Sequence, residues 1–277
     1  MRLRRWWFAC AALLLTTHVH AQVSTDRVES APTVRVLLIG NSLIYTNNLP
    51  GLLRSLAAAQ PGGPRIDTES YVMPGATLSD HWKRGVAQRA LEGGRWDVLV
   101  LQERGGLLAC LESPAQKEEA ECRNSVRAHK RFAQLAETSG IRIMLLGTWG
   151  PDSDWQDRLD RGLRRIARET HATPIFAGSR LREYATKVPA STLFTDESLH
   201  PSLRASLIVT AMLYREITGQ SAQAQPLRLD FPLLPPGSRM DENLPLERNQ
   251  TLDRLTRPIT LAAGELPPLL HAAESSP

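Results

Sequence analysis

Val34-Arg-Val-Leu-Leu-Ile-Gly40-Asn41-Ser42 is a run of β-branched and aliphatic residues that ends in a glycine, with a serine two positions later. Such a run reads as a buried strand, and the glycine allows an abrupt exit from it. The serine then lies beyond the C-terminal end of the strand, the edge at which open α/β sheets keep their ligands. Four more short apolar runs follow, at 66–72, 97–102, 141–147 and 173–177, bounded by glycine, proline or aspartate. Longer amphipathic stretches separate them and predict helices near 49–60, 77–92, 114–139 and 154–170. Leu203, Leu207, Ala211 and Tyr214 mark one face of a last helix over 201–218, with Pro201 suited to its first turn. This alternation predicts a three-layer α/β/α sandwich with a five-stranded parallel sheet in flavodoxin-like order.

The ends of the chain depart from that pattern. Arg2, Arg4 and Arg5 precede an apolar stretch from Trp6 to Leu15 that is too short to span a bilayer. Val19-His20-Ala21 then offers small residues at the two recognition positions of a cleavage site, so residues 1–21 read as an export signal. Residues 22–33 read as a polar linker, 34–219 as the α/β domain, and 220–277 as an extension that packs on it or is partly disordered. Phe231-Pro-Leu-Leu-Pro-Pro-Gly237 rules out a long helix in that extension. No later stretch is long and apolar enough to predict a membrane span.

Charge and cysteine content fit an exported chain. The leader holds three arginines and no acid, so the net charge falls from +4 to +1 once it is removed. No basic stripe with interleaved aromatics is present, and nothing points to nucleic acid. Cys110 and Cys122 then remain as an even pair around a polar excursion, Leu111 to Glu121. Export favours a disulfide between them, which stabilises by about 3 kcal/mol on the chain-entropy model. A periplasmic or secreted location is expected.

A second block completes the first. Asp196-Glu-Ser-Leu-His200 stands just before the last predicted helix, and a serine, an imidazole and a carboxylate together can activate a weak alcohol. Ser42 could equally be a helix cap, but the N–H groups and dipole that favour a cap also stabilise an oxyanion. His81, His129, His171 and His271 show no zinc-like spacing and read as structural or solvated.

These blocks resemble the SGNH (GDSL-like) hydrolase superfamily. That family has a serine in a Gly-Asp-Ser block after the first strand, a glycine after the second, an asparagine after the third and Asp-x-x-His before the final helix. Gly40-Asn41-Ser42 matches the first with Asn for Asp, and Met73-Pro-Gly75-Ala-Thr77 supplies the second. The third strand instead runs into Leu101-Gln102-Glu103, as in some divergent branches. Three residues, not two, separate Asp196 from His200, which leaves Glu197 as a rival to orient the imidazole.

The resemblance implies a serine ester hydrolase that needs no metal or cofactor, acting on small acyl groups of a carbohydrate or other polar substrate. It implies Ser42 as nucleophile, His200 as base, and Asp196 as the acid, because aspartate follows Leu193-Phe194 as the family's does. The oxyanion donors would be the N–H groups of Ser42 and Gly75 with the Gln102 amide, and Asn41 and Asn47 are fallback amides. Asn41, Glu103 and Trp149 are candidate substrate contacts. An O-acyltransferase, or a glycan-binding scaffold without turnover, would carry the same motifs.

Overall fold

The computed structural model describes residues 31–249 and 258–274. The leader and most of the linker lie outside the described residues. Five parallel strands, β1 (Thr33–Gly40), β2 (Arg65–Val72), β3 (Val98–Leu101), β4 (Arg142–Leu146) and β5 (Thr173–Ile175), form one sheet in the order β2-β1-β3-β4-β5. Val36 to Ile39 and Val98 to Leu101 are buried on both faces, as parallel strands covered by helices on both sides must be.

The side chains of β1 divide the core in two. Val36 and Leu38 face a cluster with α2 (Leu49–Ala58) and α8 (Leu203–Thr218), while Leu37 and Ile39 face α5 (Ala120–Thr138) and α6 (Ser153–Glu169). Strand order reverses between β1 and β3, which opens a crevice at their C-terminal ends. The short helix α1 (Ser42–Tyr45) starts there.

Three local expectations are corrected. The single helix expected over 77–92 is two, α3 (Leu78–Arg84) and α4 (Val86–Gly93), because Gly85 between them is left-handed at φ 72°. The strand expected to reach residue 177 stops at Ile175, and a helix absent from the sequence reading, α7 (Ala177–Ala185), begins two residues later. The helix expected from residue 114 begins at Ala120, after two 3-10 turns.

Beyond α8 the chain forms a two-stranded antiparallel ribbon, β6 (Leu227–Leu229) with β7 (Ile259–Leu261), and helix α9 (Pro267–Glu274). Leu227, Leu229, Leu234, Leu246, Leu269 and Leu270 are buried in the α2/α8 cluster. Glu247 caps the free edge of the sheet, where its carboxylate accepts from Ser70 N–H (2.9 Å) and from the Ser70 and Thr68 hydroxyls (2.8 and 2.7 Å).

A disulfide joins Cys110 to Cys122, with Cα atoms 6.0 Å apart. It ties the 3-10 turn at 107–112 to the first turn of α5. A Cys110→Ser/Cys122→Ser chain is expected to lose about 3 kcal/mol of unfolding free energy in urea, since a loop of this size is freed in the unfolded state. A loss below about 0.5 kcal/mol would mean that native strain cancels the gain. Among the described residues, no helix is long and apolar enough to cross a membrane.

Candidate active site

Ser42 is the first residue of α1, and its orientation is set by the turn that precedes it. Gly40 ends β1 with no room for a side chain: a Cβ there would sit 2.5 Å from Gln102 Oε1 and 2.6 Å from Ile44 Cδ1. The Gln102 carbonyl oxygen uses that space to accept from Asn41 N–H (3.0 Å). From behind, buried His81 on α3 bonds through Nε2 to the Gly40 carbonyl (2.7 Å), so that nitrogen carries the proton. The Asn41 side chain caps α1 by accepting from Leu43 N–H (3.2 Å) and donates to the Ala76 carbonyl (3.0 Å). The nucleophile turn is thereby tied to the loop after β2, where Gly75 takes a left-handed φ of 65°.

Burial pushes the His81 imidazole down to about 4, even though the Gly40 carbonyl and Asp80 favour its charged form. The native state therefore resists a proton that the unfolded chain accepts below the ordinary pKa of 6.5. This stability is complete above pH 6.5 and is lost as pH falls toward 4, with an upper bound of about 3 kcal/mol. Urea titrations between pH 7 and pH 4.5 should show that decline, and a His81→Gln chain, which keeps a donor for Gly40, should show a flatter profile. Equal slopes would remove His81 as the cause.

His200 is presented on a small hairpin just before α8. Phe194 and Pro201 form an antiparallel bridge, Thr195 N–H donates to the His200 carbonyl (2.9 Å), and Leu199 N–H donates to the Asp196 carbonyl (3.0 Å). The extra residue between acid and base is absorbed where Leu199 turns left-handed at φ 59°. Trp149 supports this strained residue, since its indole N–H donates to the Leu199 carbonyl (2.7 Å). Asn47 braces the two loops: its amide donates to the Pro201 carbonyl (2.7 Å) and to Ser206 Oγ (3.1 Å).

The result is a relay. His200 Nδ1 lies 2.7 Å from Asp196 Oδ2, and a carboxylate only accepts, so Nδ1 carries the proton. Nε2 is then the acceptor for the Ser42 hydroxyl at 2.9 Å. Slight desolvation raises the Asp196 carboxyl, but donors from the His200 backbone and ring and from the Ser198 backbone outweigh it and hold the group below its usual range. Glu197 lines the cleft and has no hydrogen bond to His200 among the described residues.

A cleft of about 600 Å³ opens over Ser42 and His200, lined also by Tyr45, Gly75, Trp149 and Trp155. Ser42 and Gly75 line it, and the backbone N–H of neither has a hydrogen-bond partner among the described residues. Tyr45, Trp155 and Gly237 were not anticipated as cleft residues. Gly237, from the extension, donates to the Tyr45 hydroxyl (3.3 Å).

Three sequence expectations fail here. Gln102 is buried and does not line the cleft, its amide oxygen accepting from Asn41 N–H and its nitrogen donating to the Glu103 carbonyl, so it is not placed as an oxyanion donor. Glu103 is equally buried and does not line the cleft. It accepts from Leu78 N–H (3.2 Å), Arg104 N–H (2.7 Å) and the Ser125 hydroxyl (2.6 Å), which pins the Gly75 loop's helix to β3 and α5. The Asn47 amide serves the brace. Trp149 does line the cleft, but only 5% of it is exposed, so it is more support than platform. Among the described residues, no group of three or more His, Cys, Asp or Glu could hold a metal ion.

Comparison with solved structures gives the architecture its place. A catalytic mutant of Axe2, an acetylxylan esterase from Geobacillus stearothermophilus, superposes with a TM-score of 0.52 at 14% identity, over 68% of this chain and 95% of that one. The likeness is one of fold, and the sheet order is the one that the resemblance to SGNH (GDSL-like) hydrolases implies. LAE5, an α/β hydrolase enzyme from the metagenome of Lake Arreo, Spain, superposes with a TM-score of 0.54 at 16% identity, over 68% of this chain and 96% of the other. No protein-family model and no curated protein matches the sequence.

Proposed function

We propose that the chain is an exported serine ester hydrolase that removes small acyl groups, acetyl above all, from a carbohydrate or similarly polar alcohol. The observation that carries this reading is the Ser42–His200–Asp196 relay, at 2.9 and 2.7 Å, in a cleft lined by Ser42 and Gly75, whose backbone N–H groups are unpaired among the described residues. His200 Nε2 takes the Ser42 proton as Oγ attacks the acyl carbon, and the N–H groups of Ser42 and Gly75 receive the oxyanion. The tetrahedral adduct expels the alcohol, protonated by His200, and leaves an acyl-serine. Water, deprotonated by His200, then attacks that ester, releasing the carboxylic acid and restoring the serine.

Two amide donors replace the three that the family pattern implies. Asn41 holds them in register, since its side chain links the residue before Ser42 to the carbonyl of the residue after Gly75. The carbohydrate preference is supported by the indole of Trp155 in the cleft, and by the activity named for Axe2, the acetylxylan esterase of similar fold. Export is supported by the Cys110–Cys122 disulfide, a bond that persists in oxidising compartments.

A fluorophosphonate probe tests the chemistry directly. Stoichiometric labelling that disappears in Ser42→Ala is the expected result. No labelling of the intact chain, together with no hydrolysis of p-nitrophenyl acetate, would favour a binding scaffold.

A further inference from the structure

We propose that a groove remote from the catalytic serine is a binding site for an acidic glycan, one bearing uronate carboxylates. The groove, of about 540 Å³, lies along α5 beside the disulfide-tied segment and one residue of α6. Its cations are Lys117, Arg123, Arg127, Lys130, Arg131 and Arg165, against one acid in the lining, Glu118. Six positive charges against one is a larger excess than the +4 of the whole chain, so charge is concentrated here and not spread evenly. Four of the six, Arg123, Arg127, Lys130 and Arg131, stand on α5 without interleaved aromatics, and the fold adds Lys117 and Arg165 from two other segments.

Half of these cations are uncompensated by a carboxylate or an aromatic ring among the described residues. Lys130 and Arg165 share Glu169, at 2.8 and 3.1 Å, and Arg131 lies 5.3 Å above the Trp82 ring. Lys117, Arg123 and Arg127 have no carboxylate partner among the described residues. Arg123, Arg127 and Arg131 succeed one another at i, i+4 and i+8, a spacing at which like charges destabilise a helix. An external anion would relieve that repulsion, and guanidinium groups match carboxylates with paired hydrogen bonds.

The shape selects among anions. Leu111 and Val126 give the groove apolar wall, suited to the C–H faces of sugar rings. Among the described residues the exposed large hydrophobic side chains, Leu244 and Ile259, are not in its lining, so the groove itself carries no exposed apolar anchor of the kind a membrane-docking face uses. From Arg123 to Arg131 the helix advances about 12 Å, enough for a few sugar units. The disulfide segment that borders the groove also borders, through Cys110, Gln116 and Cys122, a depression that shares Arg104, Gly105, Gly106 and Trp155 with the catalytic cleft. Choosing a glycan rests on the esterase reading; the anion preference does not.

The test is binding of oligogalacturonate to the full Ser42→Ala chain by calorimetry, with neutral xylo-oligosaccharide and phosphatidylglycerol vesicles as rivals. Oligogalacturonate should bind, more weakly as salt rises. Arg123→Gln/Arg127→Gln should weaken it roughly tenfold, while Arg168→Gln/Arg239→Gln, equal in charge but outside the groove, should not. Binding to vesicles alone, or equal weakening by both double variants, would overturn the proposal. Hydrolysis of p-nitrophenyl acetate by the Ser42 forms of both double variants is measured separately and should be unchanged. Its absence in every form sinks the esterase reading without touching the binding result.

Discussion

Ser42→Ala is expected to lower kcat/KM for a small aryl acetate by at least about 10⁴-fold while leaving the fold intact. The two halves of that expectation have separate physical grounds. Among the described residues the Ser42 hydroxyl has one hydrogen-bond partner, His200 Nε2, so its removal leaves no other described buried group unpaired. The α1 cap belongs to Asn41 and survives. What disappears is the acyl-enzyme: His200 can still polarise water, and the N–H groups of Ser42 and Gly75 can still bind an oxyanion, but attack must come from a mobile water. Retained activity within tenfold of the parent, at unchanged thermal stability, would falsify the assignment of the nucleophile. KM should move little, because a hydroxyl at the reacting centre contributes mainly to the transition state.

How far the sequence could carry these conclusions depended on which interactions set each feature. The sheet was legible because parallel strands buried on both faces are written as unbroken apolar runs, and Val36 to Ile39 and Val98 to Leu101 are such runs. Helix α7 was not, since β5 is three residues long and Ala177-Gly-Ser reads as a turn; Ala177, Leu181 and Tyr184, all buried at i, i+4 and i+7, were the available signal. The extension was opaque for a different reason. Its leucines are placed in the α2/α8 core by tertiary packing at irregular spacing, which leaves no period to read.

The site divides in the same manner. Ser42, Gly75 and His200 follow strands or precede a helix, and sheet topology alone brings such positions to one edge. Gln102 and Glu103 lie just beyond the last pleated residue of β3, Leu101, where the strand no longer dictates side-chain direction. Their orientation is decided by Asn41, Leu78 and Ser125, partners 22 to 61 residues away. An amide one methylene longer than asparagine found a closer acceptor-seeking N–H behind the nucleophile than in front of it, and the missing Cβ of Gly40 left room for that choice.

Asp196→Asn should cost about 10⁴-fold in kcat, and Glu197→Gln less than about threefold. Both carboxylates precede His200, and spacing alone admitted either. The geometry separates them: Asp196 Oδ2 is 2.7 Å from the ring nitrogen Nδ1, while its Oδ1 accepts from His200 N–H at 3.1 Å. An amide in that place keeps the backbone bond through its oxygen but turns an N–H toward Nδ1. The ring then prefers the opposite tautomer, with its proton on Nε2, where it confronts the Ser42 hydroxyl as a donor and cannot act as base. Because the defect is a misplaced proton, activity of Asp196→Asn should recover partly at high pH, as hydroxide supplants the general base, whereas Ser42→Ala should show no such recovery. A pH–rate profile for the three variants therefore discriminates. If Glu197→Gln takes the large loss and Asp196→Asn the small one, the carboxylate at four residues' remove is only a hairpin cap, and the left-handed turn at Leu199 must open to bring Glu197 onto the imidazole.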